Sequence, residues 1–173
     1  MSEYDTWPED IFQILMDHQV RQVAYVPDAG HTQLINICHN NQKMKTVVLT
    51  TEEEGVALLA GAWLGGDRGA LLMQSSGVGN CINMLSLPRV CRMPLLMLVT
   101  MRGQWGEFNP WQIPMGQNTR KTLTLAGVIT FPVEDGRHVR DAAEAAARMA
   151  FEGCAATAVL ISQRILGAKT FGN

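Results

Sequence analysis

Apolar residues recur along this chain in two alternating rhythms, one at helical spacing and one in short unbroken runs. Pro8 opens the first helix, whose buried stripe is Ile11, Ile14, Leu15 and Val20. A β-branched run at 23–26 follows and stops at Pro27, and Leu34, Ile35 and Cys38 mark a second helix. Residues 46–50 predict a strand, 52–64 a helix of small residues with acids in its first turn, where the helix dipole favours them, and 70–73 a third strand. The pattern continues as a helix over 78–90, a strand over 95–100, a helix over 119–125, a strand over 128–133, an alanine-rich helix over 138–151 and a last strand over 156–161.

Strands this apolar, without alternation, must be covered on both faces, as in a parallel sheet sandwiched by helices. The expected fold is therefore α/β: a doubly wound, mainly parallel six-stranded sheet with helices on both faces. No linker or repeat divides residues 1–173, so one domain is expected. The one long irregular stretch, 102–117, holds Trp105, Phe108, Trp111 and Met115. A loop of that length in a compact domain usually serves function or meets a partner.

Composition narrows the function classes. A net charge of -2 with scattered Lys and Arg gives no basis for binding nucleic acid or an anionic membrane. The apolar runs are too short to cross a bilayer, and the polar, acidic first ten residues do not read as a signal peptide, so a cytoplasmic location is expected. Cys38, Cys81, Cys91 and Cys154 form no CxxC pair and lie in apolar segments, which predicts reduced core thiols. Met73, Met84, Met93, Met97 and Met101 fit core packing better than a metal site.

Ligands of an open parallel sheet gather beyond the carboxyl ends of its strands. Four polar or glycine-rich segments fall there: Pro27-Asp28-Ala29-Gly30-His31, Thr51-Glu52-Glu53-Glu54-Gly55, Gln74-Ser75-Ser76-Gly77-Val78-Gly79-Asn80, and Arg102-Gly103. Each has an ordinary alternative. Asp28 could cap a helix, the three Glu could be a solvated first turn, His31 and His39 could be surface or capping residues, and the glycine turn lacks the Lys of a P-loop.

Taken together, VPDAGH, TTEEEGVALLAGAWLGG, ALLMQSSGVGN, PLLMLVTMRG and PWQIPMGQNTRKTLTLAGV resemble, in order, the small subunit of sulfopyruvate decarboxylases and the N-terminal half of phosphonopyruvate decarboxylases. That resemblance implies the pyrimidine-binding domain of a thiamine diphosphate enzyme acting on a small anionic 2-oxo acid. It places the catalytic acid on Glu53, with Trp63 ten positions on, rather than on Glu52 or Glu54 one position to either side. A carboxyl held against pyrimidine N1' favours the imino tautomer that removes the cofactor's C2 proton, and burial would bring its pKa toward the working range. The resemblance also sets Gln74, Ser75, Ser76, Gly77, Gly79 and Asn80 beside the cofactor, Asp28 at the reacting carbon, and His31 and Arg102 toward the substrate.

The GDG and Asn-rich segment that holds Mg2+ and the diphosphate in full-length relatives is missing. The resemblance therefore implies a second subunit carrying that segment, in a hetero-oligomer of α2β2 type or larger, with no metal ligand on this chain. Where the family usually has Ser and then Leu after the Pro-Asp pair, this chain has Ala29 and His31, which leaves other thiamine diphosphate reactions open. A non-catalytic regulatory subunit is the alternative of a different class.

Overall fold

The computed structural model describes residues 6–167. In chain order these form α1 (Trp7–Asp17), β1 (Val20–Tyr25), a 3-10 turn (Ala29–His31), α2 (Thr32–His39), β2 (Lys45–Val48), α3 (Glu52–Leu64) and β3 (Arg68–Gln74). Then come α4 (Ser75–Cys81), α5 (Ser86–Cys91), β4 (Leu95–Thr100), α6 (Ile113–Leu125), β5 (Ile129–Val133), a 3-10 turn (Gly136–His138), α7 (Val139–Phe151), β6 (Ala156–Ile161) and α8 (Gln163–Leu166). The six strands pair in the order β2-β1-β3-β4-β6-β5, every pair parallel. The doubly wound α/β fold expected from the apolar runs is the fold observed.

Period-two alternation within those runs splits the core into two layers. On β3, Ala70 and Leu72 face the layer built with Ile11 and Leu15 of α1, Leu34 of α2, and Ala146 and Ala150 of α7. Leu71 and Met73 face the other layer, with Val56 and Leu59 of α3, Val78 of α4 and Leu123 of α6. The alanines of α7 let that helix lie close on the sheet, and Leu95–Thr100 of β4 is buried along its whole length.

From β1 the chain moves outward to β2, then returns past β1 to β3. The loops leaving β1 and β3 thus part to opposite sides, and the crevice between their carboxyl ends is where such sheets place ligands. Strands β2 and β5 form the two edges of the sheet. Lys45 begins β2 and is exposed, while Pro132 lies within β5 and has no amide hydrogen to offer.

Four expectations need correction. Val20, expected on the stripe of the first helix, instead opens β1, because α1 ends at Asp17. The helix expected over 78–90 is two helices, α4 and α5, separated by a turn, with Pro88 early in the second. Helix α6 starts at Ile113, six residues before the expected start, with Pro114 in its first turn. Only two of the four cysteines are core residues. Burial pushes the Cys38 and Cys81 thiols up to about 12, whereas Cys91 and Cys154 are exposed, and all four are free. Among the described residues no helix is long and apolar enough to cross a membrane.

Candidate active site

Asp28 stands at the mouth of the crevice, in extended backbone just past β1. Its Oδ2 accepts from the Gly30 amide at 3.1 Å and so caps the 3-10 turn that precedes α2. The same carboxylate reaches across two neighbouring strands. Gln74 Nε2, at the end of β3, donates to Oδ1 at 2.8 Å, and Thr100 Oγ1, at the end of β4, donates to Oδ2 at 2.7 Å. Ser76 Oγ in turn donates to Gln74 Oε1 at 3.0 Å, which fixes the orientation of that amide. One acidic side chain thereby ties together the loops after β1, β3 and β4. Both of its oxygens act as acceptors at the sheet's rim.

The three acids of α3 separate sharply. Glu54 closes a capping box, its Oε2 accepting from the amide of the N-cap Thr51 at 3.4 Å and also from the Thr50 amide at 2.8 Å. Glu52 is buried and lies across Gly77, where a Cβ would stand 2.4 Å from its carboxyl carbon. Its Oε2 accepts from Asn80 Nδ2 at 2.7 Å. Glu52 is thus not the solvated first-turn acid that the sequence suggested. Glu53 alone of the three is exposed at the rim without a structural task among the hydrogen bonds of this turn. Glycine at 77 is what lets α3 and α4 close over Glu52.

Ser75 is fully buried and links α4 to the next loop, its hydroxyl bonding both the carbonyl and the amide of Arg102. Gly77 is buried, Gly79 partly open beside Met115, and Asn80 exposed apart from its bond to Glu52.

His31 is placed differently from what the sequence suggested, whereas Arg102 stands at the cleft as expected. His31 is wholly buried beneath the rim, edge-on to Trp7 at 6.3 Å between ring centroids, and does not line the cleft beside Asp28. Its Nε2 lies 3.0 Å from the Leu98 carbonyl, which can only accept, so Nε2 carries the hydrogen and Nδ1 is left bare without a partner. Burial lowers its pKa, so the ring is neutral near pH 7.

Arg102 does line that cleft, but its guanidinium is already engaged. Nε and Nη2 donate to the two carboxylate oxygens of Glu107 at 2.5 and 2.7 Å, a bidentate pair with Glu107's side chain 3% exposed. Gln163 Nε2 and the amides of Asn109 and Gly103 also donate to that carboxylate. Sequence reading passed over Thr100, Gln163 and Glu107 of this hydrogen-bonded rim: Thr100 meets Asp28 and Gln163 meets Gln104 across long stretches of chain, and Glu107 sits in the irregular loop beside Arg102.

The hydrogen bonds of Arg102 hold the Glu107 carboxyl down at about 2, well below its ordinary 4.5. A depressed carboxylate pKa contributes stability that is complete above the unfolded value and disappears as pH falls through the folded one. Wild-type melting temperature should therefore drop more steeply between pH 5 and pH 2.5 than that of Glu107→Gln, as followed by circular dichroism. Parallel curves would show that the pair contributes nothing to acid stability.

Among the described residues, no group of three or more His, Cys, Asp or Glu side chains converges to hold a metal ion. The rim offers an exposed carboxylate, a fixed acceptor and a short glycine turn.

The family model described as thiamine pyrophosphate enzyme, N-terminal TPP binding domain, matches residues 6–115. The sulfopyruvate decarboxylase subunit alpha of Methanococcus maripaludis is 36% identical over 148 residues, covering 83% of this chain and 89% of that one. The phosphonopyruvate decarboxylase of Streptomyces viridochromogenes is 40% identical over 108 residues, 61% of this chain but only 27% of its own length. In fold alone, the chain superposes with a TM-score of 0.70 and 12% identity on the 2-oxoglutarate:ferredoxin oxidoreductase of Magnetococcus marinus, covering 92% of this chain and 29% of that one. This chain belongs to the thiamine pyrophosphate enzyme N-terminal TPP binding domain family, alongside the sulfopyruvate decarboxylase alpha subunits.

Proposed function

We propose that this chain is one subunit of a thiamine diphosphate-dependent decarboxylase of short 2-oxo acids, with Glu53 as the acid that activates the cofactor's pyrimidine ring. The observation that carries the reading is the separation of the three glutamates: two are spent on the helix start and on Asn80, and Glu53 is left facing outward at the rim. Bound thiamine diphosphate supplies a nucleophilic thiazolium carbon and an electron sink for the carbanion left by loss of CO2.

This chain's residues do the remaining tasks. Glu53 would hold a proton against the pyrimidine nitrogen, and the covering surface of a second polypeptide would provide the dry environment that Glu53 lacks here. Asp28, fixed by Gln74, Thr100 and Gly30, would present its acceptors to the reacting end of the substrate. His31 supports the Asp28 turn from below rather than touching the substrate.

Mg2+ and the diphosphate would be held by the second subunit, which the resemblance expects to carry the GDG and Asn-rich segment. Exposed Trp105, Phe108, Trp111 and Ile113 beside the same rim suit burial against that partner. Sulfopyruvate and phosphonopyruvate, the substrates named for the relatives, are the first candidates. The engagement of Arg102 by Glu107 favours a second reading, in which the 2-oxo acid has a different tail.

Calorimetric titration of thiamine diphosphate with Mg2+ into the chain, alone and with its partner subunit, tests the reading, followed by a panel of 2-oxo acids. Binding and CO2 release only in the pair are expected. No cofactor binding under either condition would leave a non-catalytic subunit as the better account.

A further inference from the structure

A cleft of about 540 Å³ opens beside Asp28 and Thr100 and runs along the start of α2. Among the described residues on its lining, Arg102 is the one cation and Asp28 the one acid. The two are neighbours. Thr100 donates to Asp28 at 2.7 Å, and Arg102 leaves the same strand end two residues later. The Arg102 pKa is raised chiefly by its hydrogen bonds to Glu107, and the charge of Asp28 raises it further. A guanidinium and a carboxylate sharing a cleft attract each other. Asp28 nevertheless takes its hydrogen bonds from the neutral donors Gly30, Gln74 and Thr100.

Glu107 accounts for the separation. It holds Nε and Nη2 of Arg102 as a bidentate pair, while Gln163 and the amides of Asn109 and Gly103 fix its carboxylate. Ser75 bonds both the carbonyl and the amide of Arg102, so the choice between the two acids falls to the Arg102 side chain. Its second edge, at Nη1, donates to none of the described residues, and the clamp on the first edge keeps it out of hydrogen-bond reach of Asp28.

We propose that Glu107 is a positioning residue for the reaction: it holds Arg102 off Asp28, so that the carboxylate at the reacting end of the substrate carries no internal counter-ion. An ion pair there would occupy acceptor positions that Asp28 needs for the substrate and offset part of its charge. The inference rests on the decarboxylase reading and on the place that reading gives to Asp28.

In the complex purified with the partner subunit, Glu107→Gln deletes the charge and turns an amide toward groups that need an acceptor, which releases Arg102 to Asp28. With sulfopyruvate or 2-oxobutanoate, whichever the wild type turns over, kcat is expected to fall about tenfold or more. Adding Arg102→Met should raise kcat again by about fivefold, whatever it does to KM. A clamp that only stiffens the loop predicts no such rescue, because losing both partners does not repair what losing one has loosened. Unchanged kcat in Glu107→Gln, or no recovery in the double variant, overturns the proposal. Glu107→Asp, which keeps the charge but shortens its reach, replaces Glu107→Gln if that variant does not assemble, with the same rescue expected.

If the wild-type complex decarboxylates neither acid, the decarboxylase reading fails, and crystal structures of the same proteins decide the present point without turnover. Arg102 within hydrogen-bond distance of Asp28 in Glu107→Gln supports the proposal. A guanidinium that keeps its place or turns to solvent overturns it.

Discussion

Glu53→Gln in the assembled enzyme should lower kcat by about 10²–10⁴-fold, the range over which a positioned acid or base contributes. Stability should change by less than about 0.5 kcal/mol, because Glu53 is exposed and makes none of the contacts that hold α3. The neighbouring substitution provides the contrast. Glu52→Gln removes a buried charged acceptor from Asn80 and should cost about 1–2 kcal/mol of stability. Steady-state CO2 release and thermal melting on the two variants separate these outcomes. If Glu52→Gln stops turnover while Glu53→Gln leaves it near wild type, the activating acid lies one position earlier.

The second large effect is expected from one methyl group. Gly116→Ala should destabilise the chain by about 3 kcal/mol, at the upper end of what overpacking costs. An alanine Cβ at that position would sit 2.0 Å from the Arg102 carbonyl oxygen and 2.6 Å from the Gly103 carbonyl carbon. Both obstacles are backbone, so no side-chain rotation relieves them. The helix-propensity gain from Gly to Ala, about 1 kcal/mol at most, is too small to compensate.

The neighbouring loop cannot yield easily. Gly103 has φ +74 and its own close approach to Gln112, and Arg102 is held by Ser75. A fall in the urea midpoint at unchanged m-value is the expected measurement. Gly79→Ala is the control, because its Cβ would meet only Met115, at an ordinary 3.6 Å, and stability should barely move. Equal midpoints for the two variants would show that the loop after β4 gives way freely.

Most of the fold was legible because its strands are unbroken apolar runs, and each such run lies in a strand of the sheet. Leu95–Thr100 is the clearest case, fully buried as its composition demanded. Breaks inside apolar stretches were harder to read. The separation of α4 from α5 hides within a stretch whose apolar spacing persists, and Pro88 was its signal, since proline is welcome in the first turn of a helix but not in its interior. Pro114 marked the early start of α6 in the same way.

At the rim, Asp28 and the Gln74–Ser76 segment were legible from strand ends and turn chemistry, and the structure brings them together. The burial of His31 and Glu52 was not legible, because each is decided by elements distant in sequence: Leu98 under the imidazole, and Gly77 and Asn80 over the carboxyl. Glu107 is a mixed case: Arg102 is its neighbour in the same irregular loop, and Gln163, 56 residues further on, completes its hydrogen bonds.

The two outermost strands constrain how copies of this molecule can join. A bare strand edge invites another strand to extend the sheet, and short, charged or proline-bearing borders discourage it. Here one border is four residues long and begins with an exposed lysine, and the other is interrupted by Pro132. Sideways fusion into a continuous intermolecular sheet is thus disfavoured at both margins. Contacts between copies are left to the helix surfaces and to the loop-bearing end of the sheet.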